Sequence, residues 1–368
     1  METSKLYEVA LGLFPGIGGG LTKLLVSYCG SAEKVFTTSK GKLKKIPGIG
    51  DKLAETITNN HHLLYEAEKQ LRLAEQTGTG VCFYTDKEYP ERLKNINDAP
   101  ALLYYRGDIP LNPSRSVAIV GTRAASEYGK KCVEQIIEQL TPYQPAIVSG
   151  LAYGIDIAAH KSAIRNNLPT IGCMATGPDI IYPAVHKNIA LTMEANGGVL
   201  TEFPFGKKAV PAAFPARNRI IAALCDVLIV VEAARKGGAL ITAEMANDYH
   251  REVFALPGNI DEKYSEGCNR LIQRHKAHIF TDIKALEELM NWSLSNNKKM
   301  DRGSPVTAIS LHEREMPIYT LLSDNSTLQI DELSWRSNIP ISTLASILLE
   351  MEFKGILKSM PGNRYKLS

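Results

Sequence analysis

The sequence Ser116-Val-Ala-Ile-Val-Gly-Thr-Arg123 joins a short apolar run, rich in β-branched residues, to a glycine turn. Such a run is typical of a strand that is buried on both faces of a parallel sheet. Helical patterns alternate with similar short runs, which lie at residues 146–148, 170–172, 198–200, 226–231 and 252–256. This alternation predicts an α/β fold with a buried parallel sheet between about Ser116 and Asp282.

The regions on either side of this pattern differ from it in composition. Residues 6–75 have helical patterns, residues 80–113 connect them to the sheet and can add an edge strand, and a polar linker follows Asn291. The expected organisation is a helical domain over residues 1–78, an α/β core over 79–290, a linker over 291–307 and a small third domain over 308–368.

An internal repeat marks the first region. Phe14-Pro-Gly-Ile-Gly18 and Ile46-Pro-Gly-Ile-Gly50 each precede an amphipathic run, so each glycine turn leads into a helix. Exposed N–H groups at such a turn can hold a phosphate, as in helix-hairpin-helix (SAM-like) DNA-binding units. A helical packing domain that needs glycine only for positive φ explains the repeat equally well. The residues leave both interpretations open.

The last region predicts three helices, at Glu315–Leu322, Ile330–Ser334 and Ser342–Lys354, and a terminal hairpin. That order is typical of a winged helix. The outer face of the third helix carries Thr343, Ser346 and Glu350, which are not basic. We therefore favour a protein-contact or packing role over a role in a DNA groove.

Composition restricts the chemistry. The net charge is only +3 over 368 residues, so any polyanionic partner must bind a local patch rather than respond to the whole chain. Six scattered cysteines without a paired Cys-x-x-Cys predict reduced thiols, no structural metal site and a cytoplasmic location. No apolar run is long enough for a membrane helix, and no membrane association is expected.

Glycines cluster where strands are predicted to end, at Gly121, Gly150, Gly154, Gly177 and Gly238. Ligands of open parallel sheets bind at this edge, because loops and helix N-termini converge there. The same edge is predicted to carry cations interleaved with rings: Arg123, Lys207, Lys208, Arg217, Arg219, Arg235, Lys236, Tyr182, Phe205 and Phe214. Cations for phosphates and flat rings for unpaired bases suit a single nucleic-acid strand. Phe203, in contrast, is expected in the core.

Nucleotide-dependent catalysis has no motif to support it. The chain has no Gly-x-x-x-x-Gly-Lys-[Ser/Thr] loop, and the Gly121 turn lacks dinucleotide spacing, so no cofactor and no catalytic residue are predicted.

Four linked segments resemble the DNA-processing-protein-A (DprA/Smf) family. They are Val120-Gly-Thr-Arg-x-x-Ser-x-Tyr-Gly129, Ser149-Gly-Leu-Ala-x-Gly-Ile-Asp156, Phe214-Pro-x-Arg-Asn-Arg-Ile-Ile221 and Ala239-Leu-Ile-Thr-Ala243. The resemblance covers the central domain and departs from the family at His186, where an asparagine is usual, and at Gly237.

The resemblance implies a Rossmann-like core between a helical and a winged-helix domain. It further implies that the protein dimerises, binds and protects incoming single-stranded DNA, and loads RecA recombinase during natural transformation. The predicted DNA-binding residues are Gly121, Thr122, Arg123, Ser126, Gly150, Gly154, Lys207, Lys208, Phe214, Arg217, Asn218, Arg219, Gly238 and Thr242.

Two alternatives remain. A phosphoribohydrolase-like enzyme on a related core would use a carboxylate such as Glu202, Glu232 or Glu244. A recombination scaffold that does not bind DNA would leave the arginine cluster unexplained.

Overall fold

The computed structural model describes residues 3–59, 62–292, 314–324, 327–360 and 364–367. The chain divides into two compact units, Met1–Leu294 and Ser295–Ser368.

Six helices begin the first unit: α1 (Thr3–Gly12), α2 (Gly19–Cys29), α3 (Ala32–Thr37), α4 (Lys40–Leu43), α5 (Asp51–Thr58) and α6 (His62–Gln76). The glycine repeat produces one backbone geometry twice. Gly18 and Gly50 precede α2 and α5 with φ of −84° and −82°, and Gly16 and Gly48 have φ of +80° and +82°. Positive φ explains why glycine stands at the latter two positions.

The rest of the first unit alternates strands and helices. Its strands are β1 (Gly80–Phe83), β2 (Leu102–Arg106), β3 (Ser116–Val120), β4 (Ala146–Ser149), β5 (Thr170–Cys173), β6 (Gly197–Thr201), β7 (Val227–Val230), β8 (Glu252–Ala255) and β9 (His278–Ile279). Its helices are α7 (Glu91–Lys94), α8 (Glu127–Leu140), α9 (Ile155–Arg165), α10 (Lys187–Met193), α11 (Ala213–Leu224), α12 (Gly238–Asp248), α13 (Glu266–Gln273) and α14 (Ile283–Met290).

These strands form one nine-stranded sheet in the order β1-β2-β6-β5-β4-β3-β7-β8-β9. Strands β3 to β9 pair in parallel, whereas β1 and β2 add an antiparallel edge at β6. Both faces of the central strands are covered: on β3, Val117 and Ile119 belong to one apolar cluster, and Ala118 and Val120 to the opposite one. The predicted α/β fold with a largely parallel sheet is therefore confirmed.

The N-terminal helices pack on the antiparallel edge of the sheet. Leu102 and Tyr104 of β2, together with Phe205, belong to the same apolar cluster as the buried residues of α1 to α6. The backbone N–H of Phe205 also donates to Gln70 Oε1 of α6 over 2.7 Å. The helices and the sheet therefore share one core.

The second unit contains α15 (Met316–Asp324), β10 (Leu328–Gln329), α16 (Ile330–Ser337), α17 (Ile341–Phe353), β11 (Leu357–Met360) and β12 (Arg364–Leu367). Its strands form a small antiparallel sheet in the order β10-β12-β11, and its helices enclose a separate apolar cluster. This is the predicted winged-helix arrangement.

Candidate functional site

A cavity of about 770 Å³ lies at the carboxyl ends of the central strands. The chain leaves β3 toward β4 on one side and reaches β7 on the other, so the strand order reverses between β3 and β7. A reversal of this kind opens a crevice in which open α/β sheets bind their ligands. Residues that follow β3, β4 and β7 line the cavity, together with the first turns of α11 and α12.

Three side chains form a stack at this cavity. The guanidinium carbon of Arg123 lies 5.1 Å from the centre of the Phe214 ring, a cation–π distance. The Tyr182 ring lies 5.6 Å from Phe214 on centroids, tilted by 56°. Arg123 and Tyr182 are exposed and Phe214 is half-buried. The stack thus offers a cation and two ring faces to a ligand.

Arg217 lies beneath this stack and is only 3% exposed. Its Nη1 donates to the carbonyl oxygens of Gly150 (2.5 Å) and Cys173, which follow or end two neighbouring strands. Its Nε donates to Asn218 Oδ1 at 3.2 Å. A buried guanidinium bonded to two strand-end carbonyls fixes the loops of the cavity to each other.

Burial controls the titrating groups around Arg217. Desolvation raises the pKa of the Asp156 carboxyl above its usual range, although the Arg217 charge opposes the rise. Desolvation, with the Arg217 and His186 charges, lowers the pKa of His160 to about 3. His160 is therefore neutral at physiological pH, and its Nδ1 is bonded to Thr170 Oγ1 at 2.7 Å.

Glycine is required at several of the predicted turns because other atoms approach closely. A Cβ on Gly121 would lie 2.5 Å from Ile155 Cγ1, and one on Gly150 would overlap the Arg217 guanidinium. Gly154 has φ of +77°, and its backbone packs on the Thr122 carbonyl oxygen. Ile155 N donates to that oxygen at 3.2 Å, which joins the turns after β3 and β4.

Ser126 acts within the protein as a helix cap. Its Oγ accepts from Gly129 N at 3.0 Å at the start of α8 and donates to Glu232 Oε1 at 2.5 Å. The start of α12 is held similarly, since Thr242 Oγ1 donates to Gly238 O at 3.0 Å and Asn218 Nδ2 to the same oxygen at 3.4 Å.

Three predicted cations lie outside the cavity lining. Arg219 pairs through Nη2 with Glu202 at 2.5 Å, and both side chains are largely buried. Lys207 and Lys208 are exposed on the segment that leads to α11, and Lys207 Nζ lies 5.9 Å from the Phe203 ring centre. The cavity therefore gathers Arg123, with Arg217 as its floor, but not these three residues.

The expectations for Phe203 and Phe205 are wrong. Phe205 is buried and meets the Tyr104 ring edge-on at 5.9 Å, because the N-terminal helices cover it. It therefore cannot stack on a ligand. Phe203 is half-buried beside Lys207 and belongs to none of the apolar clusters of the described residues.

Lys263 and Tyr264 line the cavity and were not predicted. They lie in the segment between β8 and α13, whose only sequence signal was Gly258 after a strand. Tyr264 O accepts from Ala233 N at 2.7 Å, which holds this segment against the turn after β7. Lys236, which the sequence did place at this edge, also lines the cavity and is exposed.

The three carboxylates considered for an enzyme each have a protein partner. Glu232 accepts from Ser126, Glu202 pairs with Arg219, and Glu244 pairs with Lys276. No group of three or more metal-ligating side chains occurs among the described residues. In the same part of the chain, no helix has the length and apolarity that crossing a membrane requires.

The fold and the cavity define a Rossmann-like α/β protein whose ligand site lies at the switch point of the sheet, with a cation and aromatic rings at its surface. The family model for DNA recombination-mediator protein A matches residues 80–291, and a DprA winged-helix model matches residues 303–363. The chain belongs to this family, the DprA/Smf proteins, as the sequence resemblance predicted.

Relatives and solved structures agree with this assignment. Protein Smf of Synechocystis sp. is 30% identical over 99% of both chains, and DNA processing protein DprA of Streptococcus pneumoniae is 46% identical over 51% of this chain and 66% of its own. The X-ray structure of the Streptococcus pneumoniae protein aligns with a TM-score of 0.59 and 32% identity, over 80% of this chain and 99% of that one. A Helicobacter pylori DNA processing protein A, whose structure concerns its single-stranded DNA binding mode, aligns with a TM-score of 0.53 and 29% identity, over 58% and 97%.

Proposed function

We propose that this protein binds single-stranded DNA at the switch-point cavity, with little dependence on base sequence. The observation that carries the proposal is the stack of Arg123, Phe214 and Tyr182, since cations beside exposed rings suit a strand with unpaired bases. The Helicobacter pylori relative, with its own single-strand binding mode, supports the same ligand class.

The charges around the cavity fit a phosphate backbone. Arg123, Lys236 and Lys263 are exposed cations of its lining, whereas Asp156, its lining carboxylate, is buried. In this proposal Arg123 contacts a phosphate and Phe214 stacks on a base. Arg217, Ser126, Gly150 and Gly154 then act by fixing the loops, and Lys207, Lys208 and Arg219 are left as contacts to a strand that extends beyond the cavity.

Binding of a single strand and of the matching duplex, measured by fluorescence anisotropy at several salt concentrations, tests the proposal. Arg123→Ala should weaken single-strand binding and lower the salt slope by about 0.7, the value for the removal of one phosphate contact. Phe214→Leu keeps an apolar side chain but removes the ring, so it should cost about 1 to 3 kcal/mol of binding with little change in slope.

Arg274→Ala is the matched control, because Arg274 is an exposed arginine of the same unit outside the cavity lining. It should bind like the unmodified protein. Equal affinity for single strand and blunt duplex, or unchanged binding by a folded Arg123→Ala variant, would refute the proposal.

The wider role follows from the family. We propose that the protein acts in the cytoplasm as a homodimer, protects incoming single-stranded DNA and loads RecA recombinase on it in natural transformation, without catalysing a reaction. Membership of a family of recombination mediators supports this role. The purified protein should speed RecA assembly on a strand covered by single-strand-binding protein, and Arg123→Ala should reduce that effect.

A further inference from the structure

The hairpin of the second unit carries a row of cations on one face. Lys358 of β11 and Lys366 of β12 are directly opposite each other in the antiparallel pair. Arg364 lies two residues before Lys366 on the same strand, so its side chain points to the same face. All three side chains are exposed. We call this set the wing face.

This arrangement is unfavourable for the hairpin alone. Like charges at directly opposed positions destabilise an antiparallel pair. Among the residues that the structure describes, no carboxylate forms an ion pair with a wing-face cation, whereas Arg336 pairs with Glu332 and Lys354 with Glu315. Glu352, an acid that contacts β11, accepts instead from Ser359 N and Oγ. An external anion would relieve the repulsion.

The helix that a winged helix usually inserts in a DNA groove does not fit that role here. The exposed positions of α17 include Ser342, Ser346, Leu349 and Glu350, without a cation. Glu350 would repel phosphates. Positive charge on this unit is therefore displaced from the helix to the hairpin.

We propose that the wing face binds the phosphodiester backbone of nucleic acid, as a second contact that is separate from the switch-point cavity. Cations opposite each other and along a strand make a row suited to successive phosphates. An acidic protein partner is disfavoured, because the described side chains of this face are the three cations and Gln329, which supply no apolar core for an interface. Contacts to the backbone alone give no base preference.

The consequence is bivalent binding. A strand that is held by both sites of one chain is bound more tightly than by either alone, because the second contact becomes intramolecular. Long strands should then gain more from the wing face than strands too short to span both sites.

The full-length chain with Lys358→Gln, Arg364→Gln and Lys366→Gln tests the proposal, using a long single strand and a duplex in separate titrations over a range of salt. For each phosphate contact that the substitutions remove, the salt slope should fall by about 0.7 on a single strand or about 0.9 on a duplex. A fall on one form identifies it as the ligand, and a fall on both identifies the backbone in general. An unchanged slope on both forms overturns the proposal.

Arg336→Gln is the matched control, since it removes one positive charge from the same unit where Glu332 balances it. Its slopes should equal those of the unmodified protein. Lys366→Arg, which keeps the charge, should also retain them, and a thermal melt of each variant verifies folding. Binding of polyglutamate that depends on the three cations, with nucleic-acid slopes unchanged, would show an acidic protein site and refute the nucleic-acid assignment.

The same substitutions in an Arg123→Ala background separate this proposal from the function proposed for the cavity. The wing-face effect should persist there. If Arg123→Ala has no effect of its own while the wing-face effect remains, only the cavity proposal fails.

Discussion

Arg217 and Arg219 show how two similar residues, two positions apart on one helix, acquire different partners. Arg217 is directed under the cavity and bonds to the Gly150 and Cys173 carbonyls, whereas Arg219 pairs with Glu202. Residues two apart on a helix cannot share a face, so the divergence itself is predictable. Which of them is buried depends on the loops they meet.

Gly150→Ala should destabilise the protein and weaken single-strand binding. The added Cβ would overlap the Arg217 guanidinium, which must leave its two buried carbonyl partners. Losing charged hydrogen bonds in a buried site should cost about 3 kcal/mol of unfolding free energy, measured by urea titration.

Gly41→Ala provides the control, because Gly41 lies within α4 and a Cβ there meets nothing within 4 Å. It should be neutral or stabilise the protein by about 0.5 to 1 kcal/mol. If the two variants unfold at the same urea concentration, Arg217 does not hold the loops as described.

His160 should make stability depend on pH. Its folded-state pKa is about 3, below the ordinary value of 6.5, so the unfolded chain binds more protons between these values. Stability is therefore fully present above pH 6.5 and decreases as the pH falls. From pH 6.5 to 5 the loss should be about 1.5 kcal/mol.

His160→Gln should remove that part of the pH dependence, even if it lowers stability at every pH. Urea unfolding of both proteins at a series of pH values provides the comparison. Parallel curves for the two proteins would show that His160 does not carry the effect.

The limits of sequence-based prediction are visible in particular side chains. Arg123, Phe214 and the strand-end glycines were predictable, because a strand followed by glycine fixes the edge on which they lie. Phe205 was not, since its burial depends on helices distant in sequence, and no local pattern reveals that Gln70 and Tyr104 meet it. Lys263 and Tyr264 were missed because they lie in an irregular segment without helical or strand periodicity.

At the scale of elements, the two copies of the glycine repeat have the same backbone but different surroundings. In the first copy, Gly19 begins α2 against the backbone of Ala99, and in the second copy the corresponding residue is Asp51, which is exposed. The first turn is thus a packing element. Whether the second turn binds DNA stays a prediction.

Gly19→Ala should destabilise the N-terminal helices. A Cβ at this position would overlap the Ala99 carbonyl oxygen, which is backbone and cannot move aside by changing rotamer. Overpacking of this kind should cost about 1 to 3 kcal/mol in urea unfolding. Gly20→Ala is the neighbouring control, because its Cβ would lie 3.5 Å from Asn97 O, an ordinary contact. Equal losses in both variants would contradict the docking of α2.

At the scale of the whole molecule, the two units have hydrophobic cores of their own residues. The N-terminal helices, in contrast, share a core with the sheet through Phe83, Leu102, Tyr104 and Phe205. Composition and motifs predict three structural regions, yet the packing of the first against the second depends on side chains that neither region identifies alone.

Two truncations should therefore behave differently. A chain of residues 1–294 keeps every residue of the shared core and should unfold at the same temperature as the first unit in the intact protein. A chain of residues 79–294 exposes four large apolar side chains, Phe83, Leu102, Tyr104 and Phe205. At about 1.5 to 3 kcal/mol for each side chain, most of the stability of a typical domain is lost. Thermal melts and size-exclusion chromatography measure both effects. A soluble 79–294 chain that melts with 1–294 would show that residues 1–78 form an independent domain.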